Sequence, residues 1–244
     1  MGIAMKQAAT AEEFNVVDSV LMKRVFYAFA ALALLSLAIS LGGKWFGRSI
    51  AMAGYTDDTT VRQVVIGKDI ITVPANFIRF DQARRDGIAS RLDLYLRYPE
   101  MDGYSTAARD DFNHAEAKRI IFLSFEPRMM SRDMSGRFAP IYSAMIVPPG
   151  TPGPGGTTIY AFTEKSGYLN ELLAVAKRPG KDPFVARCLS GPTAEESLAP
   201  CERDIQVGDS LSLTYRFPRE LLGNWPTLDA AIVAEATRVL KAAR

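Results

Sequence analysis

VFYAFAALALLSLAISLGG, Val25 to Gly43, is nineteen residues long and carries no charge. As a helix rising about 1.5 Å per residue it reaches roughly 28 Å, close to the hydrocarbon thickness of a bilayer. No other stretch of the 244 residues approaches that length. The sequence therefore predicts one transmembrane helix over 25–43, preceded by a short cytoplasmic tail (1–24) and followed by a juxtamembrane linker (44–59). A single globular domain over 60–244 completes the chain. A cleaved signal peptide is the alternative, with Ala51-Met52-Ala53 as a small-x-small site. About ten residues, including Lys44, Trp45 and Arg48, separate that site from the apolar block, which favours an uncleaved signal anchor.

Lys23 and Arg24 precede the block while Lys44 and Arg48 follow it, so the positive-inside rule is nearly tied. A short tail before a large C-terminal region suits an N-terminus in the cytoplasm. With the Ala- and Arg-rich composition, this predicts a bacterial inner-membrane protein whose large domain is periplasmic. Residues 1–48 hold five Lys/Arg and three Asp/Glu, so the formal excess of +2 lies wholly within them. The remainder is neutral and lacks a long basic run, which gives no reason to propose nucleic acid as a partner.

In the tail, Thr10-Ala11-Glu12-Glu13 fits a capping box, and Phe14, Val17 and Leu21 recur at helical spacing. Within the span, Ser36 and Ser40, like Ala38 and Gly42, form small-xxx-small pairs of the kind that lets a second helix approach.

Beyond residue 60 the periodicity becomes that of strands. VRQVVIGKDIITVP predicts a hairpin turning at Gly67-Lys68, and RLDLYLRY alternates with Leu92, Leu94 and Leu96 on one face. RIIFLSF (119–125) reads as a strand buried on both faces. VPPGTPGPGG (147–156) has too much Pro and Gly for a helix or central strand and is expected as a loop. ELLAVAKRPGKDPFVARCL predicts a hairpin turning at 178–181, and SLSLTYRF points Leu211, Leu213, Tyr215 and Phe217 inward. After Trp225-Pro226, a helix carries Leu228, Ile232, Val233, Ala236, Val239 and Leu240 on one stripe. The fold class is an α+β or mainly-β ectodomain with a C-terminal amphipathic helix, plus the N-terminal transmembrane helix.

Both cysteines fall in CLSGPTAEESLAPC, Cys188 to Cys201. Two cysteines and one histidine are too few for a structural zinc site, and the twelve intervening residues are wrong for a Cys-x-x-Cys redox pair. A disulfide closing the base of an exposed loop is the expectation, and it requires an oxidising compartment. The only histidine, His114, follows Asp110 and Asp111, but the spacing matches no strong metalloenzyme signature and a solvated surface histidine is expected. No G-x-S-x-G elbow is present, and GTPGPGG lacks the Lys-Ser/Thr of a phosphate loop. Thus no catalytic, cofactor or metal residues are assigned.

Surface chemistry offers more. Phe77, Arg79, Arg84 and Arg85 cluster in VPANFIRFDQARRDG, and Trp225 stands in FPRELLGNWPTLD; aromatic and Arg residues supply many interface hot spots. Phe77, Trp225 and Tyr104 also suit ordinary core roles. The expected function is non-catalytic: an anchored periplasmic protein that binds another membrane or envelope protein as an accessory or assembly component. The alternative from a different class is an anchored envelope hydrolase using carboxylates dispersed over the fold.

Overall fold

The computed structural model describes residues 19–52, 54–114, 116 and 118–241. The chain divides into two units, Met1–Ala53 and Gly54–Arg244. In the first, helix α1 runs from Ser19 to Met52, and its segment Val20–Leu41 is long and apolar enough to cross a membrane, with none of its window buried. The helix runs on through Met52, within the residues expected as linker, and the second unit begins at Gly54. The capping box at 10–13 and the neighbouring Phe14 and Val17 lie outside the described residues.

The second unit is mostly β, with two sheets and a C-terminal helix. Strands β1 (Val61–Ile66) and β2 (Asp69–Pro74) form the expected hairpin, with Gly67 at φ +61° in its turn. Strand β3 (Gly87–Ile88) pairs in parallel with β1 to make a three-stranded sheet. Strands β4 (Leu92–Arg97) and β5 (Ile120–Pro127) flank the short helix α2 (Arg109–Asn113). Then come β6 (Ile146–Pro152), β7 (Thr158–Phe162), β8 (Glu171–Arg178), β9 (Lys181–Leu189), helix α3 (Pro192–Glu196), β10 (Cys201–Val207), β11 (Leu211–Phe217) and helix α4 (Trp225–Lys241). Their eight-stranded antiparallel sheet has the order β4-β5-β11-β10-β9-β8-β7-β6.

One face of the large sheet, the inner side of the hairpin and α4 share the main core. Leu92, Leu94 and Leu96 meet Ile121, Leu123 and Phe125, then Leu211, Leu213, Tyr215 and Phe217, all buried. From α4, Leu228, Ile232, Ala236 and Val239 pack against them, whereas Val233, expected on the same stripe, is 44% exposed. Position 229 instead turns inward, and its charge is accommodated by the polar cluster described below.

Residues 147–156 are a correction. They form most of β6, the edge strand, with the register broken between Val147 and Thr151, followed by a 3-10 turn at Pro154–Gly156. An edge strand tolerates proline because its outer N–H positions have no ladder to serve.

The opposite face carries two separate smaller clusters. Over β6–β9, a segment between β5 and β6 places Met134, Phe138 and Tyr142 against Leu173, Val185 and Tyr160, forming a second small core. On β5, Ile120 and Phe122 pack against a smaller cluster and are half-buried rather than fully buried as the sequence suggested. At the β4 end, Tyr55, Tyr95, Tyr104 and Phe112 make a third cluster, with Tyr55 and Tyr104 stacked at 4.7 Å. Burial there pushes the Tyr95 hydroxyl up to about 12, with Arg84 acting in the opposite sense.

Candidate functional site

The two halves of the large sheet meet along a very short seam. Strands β9 and β10 pair only at Cys188/Cys201 and Arg187/Glu202, although β9 reaches back to Lys181 and β10 on to Val207. The expected disulfide Cys188–Cys201 is formed there, between directly opposed positions. Beyond it the strands part, and side chains take over from the ladder.

Arg203 of β10 fills the parting. Only 1% exposed, it donates to the Val185 carbonyl at 3.0 Å, to Ser135 Oγ at 2.8 Å and to Asp229 Oδ1 at 3.0 Å. Tyr215 also donates to Asp229 Oδ1, at 2.7 Å, and Arg178 reaches both Asp229 and Ser135. Burial drives the Tyr215 hydroxyl well above its ordinary value. A cavity of about 600 Å3 opens beside this cluster, between the β1–β2 turn, the end of β10 and α4. Its buried charges are already spent on one another. A carboxylate holding three donors is a poor general base, so the cluster reads as a clasp between α4 and the sheet.

Asp69 lines the same cavity and closes it from the hairpin side. It accepts from the N–H groups of Asp209 and Ser210, both at 2.9 Å, and from the Ser210 hydroxyl at 2.7 Å. Burial alone would raise its carboxyl, but these hydrogen bonds outweigh it and hold the group below the usual carboxylate range.

A groove of about 240 Å3 lies on the other sheet face, over β10, β11 and the end of β5. Glu202 and Arg187 line it, and Arg216 beside Glu202 extends them into an alternating charge row in cross-strand register. Arg187 bridges Glu202 and Glu171, and Arg137 pairs with Asp204 at 2.5 Å. Burial raises Asp204 and Glu171 despite these partners. Met129 and Met130 stand at the rim, 88% and 52% exposed. Polarizable, flexible methionines conform to many partner shapes.

The residues singled out in the sequence scatter. Phe77 and Trp225 are in the core: Trp225 stacks on Phe184 at 4.4 Å and donates to the Gly155 carbonyl at 3.0 Å. Arg84 donates to the carbonyls of Ile78 and Gly54. Arg79 and Arg85 remain on the surface, Arg79 lying 4.8 Å from the Phe122 ring. Ser36 and Ser40 lie four positions apart on α1, both exposed, and Gly42 falls in the same helix. His114 is exposed with Nδ1 3.1 Å from the Asp110 carbonyl, while Asp111 turns away to Arg97 and Arg119. Among the described residues no group of three or more His, Cys, Asp and Glu is placed to hold a metal. Sequence reading missed the Arg203–Asp229 clasp because its members lie on separate elements. A charged residue amid an inward-facing strand pattern was the only signal.

No family model and no curated protein matches the chain. Among solved structures it is similar to Smlt3025, an immunity protein of the Stenotrophomonas maltophilia type IV secretion system. The identity is 14%, over 76% of this chain and 94% of that one, with a TM-score of 0.45. It is also similar to the Neisseria meningitidis iron-regulated outer membrane lipoprotein FrpD, at 8% identity over 77% and 96% of the two chains, with a TM-score of 0.40. The functional reading rests on this chain's own residues.

Proposed function

We propose that this chain is a non-catalytic, membrane-anchored protein that works by binding another protein of a bacterial envelope. In this reading α1 crosses the inner membrane, the N-terminus is cytoplasmic and the β unit lies in the periplasm. The anchor-grade apolar helix and the paired cysteines support that placement. The binding face is the groove over β10, β11 and the end of β5, where Met129 and Met130 stand beside Glu202 and Arg187. One observation carries the reading: where the segment that covers β6–β9 reaches β10, it borders a groove over β10, β11 and the end of β5 and leaves two methionines exposed at the rim. The hydrolase alternative is weakened because each carboxyl raised by burial is already held by an arginine.

The test is a photo-cross-linking side chain placed at Met129 in cells, with Leu169, exposed before β8, as the comparison site. A discrete heteromeric product from position 129 and none from 169 is expected. Equal labelling at both sites, or none at either, would sink the binding-face assignment.

A further inference from the structure

A second surface adjoins the place where the backbone joins the β unit. Gly54 is the unit's first residue; its carbonyl accepts from Arg84, and a Cβ built there would lie 3.9 Å from the Arg79 carbonyl. The segment Arg79–Arg91 is thereby fixed beside the joining point. It carries four arginines and two aspartates in a domain that is otherwise close to neutral. Arg84 is drawn onto Asp81 and Arg91 onto Asp93 and Glu126. By contrast, among the described residues the Arg79 guanidinium makes cation–π contacts with Phe80 and Phe122 but no ion pair, and Arg85 has no partner. Next to these free charges, Ile88 is 90% exposed and Phe80 47% exposed. The two residues line one shallow groove with Arg85.

Bare guanidinium groups beside protruding apolar side chains suit the boundary between phosphate headgroups and acyl chains. Connectivity says which occupant is within reach. Gly54 follows the last residue of the apolar span, Leu41, by thirteen positions. Thirteen residues cover roughly 20 Å as helix and at most about 45 Å extended.

We propose that Arg79–Arg91 is a lipid-headgroup surface: Arg79 and Arg85 receive the phosphates of anionic phospholipids, while Phe80 and Ile88 enter the headgroup layer. The inference rests on α1 spanning a bilayer. The domain then rests on its own membrane, and the methionine-bordered face remains available to a partner. Each arginine is expected to change occupancy of the immersed state roughly fivefold.

The experiment uses the full chain in lipid nanodiscs, with a nitroxide on Ile88→Cys and, separately, on Leu169→Cys; the native cysteines are paired. In phosphatidylcholine discs containing phosphatidylglycerol, the label at 88 should be relaxed strongly by oxygen and weakly by an aqueous nickel chelate. Raised salt, or the Arg79→Glu/Arg85→Glu pair, should return it to the behaviour of the label at 169. A label at 88 that stays as water-accessible as that at 169 in all discs overturns the proposal. So does shielding that appears only after membrane proteins are added, which assigns the surface to a protein. Failure of the chain to insert into discs instead counts against the spanning reading, and is seen separately as protein left outside the disc fraction.

Discussion

Arg203 donates to the Val185 carbonyl at 3.0 Å at the place where the β9–β10 ladder has ended, replacing a lost backbone hydrogen bond with a side-chain one. Its guanidinium also holds Asp229 of α4, so a single buried charge joins both halves of the sheet to the C-terminal helix. Removing one partner of such a pair strands the other in a low-dielectric interior, whereas removing both with apolar groups of similar size does not.

Asp229→Ala is therefore expected to cost about 3–5 kcal/mol, read from urea denaturation. The double variant Arg203→Met/Asp229→Leu should recover most of that loss. A single variant within about 1 kcal/mol of the parent would show that the clasp is not a stability determinant.

The disulfide closes a thirteen-residue separation at the one end of the seam that is still laddered. Cys188→Ser/Cys201→Ser should lower stability by about 3 kcal/mol. Hydrogen exchange should rise first along β9 and β10, before β5 and β11, because only two register pairs hold that junction.

Thiol blocking on intact cells tests the compartment. If the β unit is periplasmic, both cysteines resist alkylation in denaturant until reduced, as read by intact mass. Free alkylation without reduction would instead point to a cytoplasmic domain on an inverted anchor.

Acid should loosen the β10–β11 turn. Asp69 is held below the usual carboxylate range in the fold, so the unfolded chain binds the proton more readily. Its contribution is then complete above that range and disappears as pH falls through the folded value. Asp204 and Glu171, raised by burial, shift the profile in the opposite sense. The informative measurement is the difference between the parent and Asp69→Asn: a gap at neutral pH that closes on acidification. A gap independent of pH would refute the linkage.

Gly103 leaves no room for a side chain, since a Cβ there would lie 2.5 Å from both the Asn76 carbonyl oxygen and the Phe77 ring. Gly103→Ala should cost about 1–3 kcal/mol in thermal or urea unfolding. An unchanged midpoint would mean that the 101–104 turn yields freely.

Alternation and turn chemistry made much of the β unit readable in advance. Gly67-Lys68 and Arg178–Lys181 terminate strands where the backbone must reverse, and the Leu92 and Leu211 runs declare their buried faces. Length and the absence of charge mark Val25–Gly43 in the same way, and the two cysteines in one exposed stretch anticipate their pairing. These signals are local: each is carried by residues within a turn or a strand of one another. Chain reach, by itself, does not reveal that β9 and β10 part after two pairs, or that Arg203 and Asp229 meet across the gap. Nor does it show that Phe77 and Trp225 are buried while Arg79 and Arg85 stay on the surface without an ion pair. Those outcomes depend on which strand lies next to which, on how far a covering segment extends and on what is left to satisfy each desolvated charge. Only the packed tertiary structure decides them.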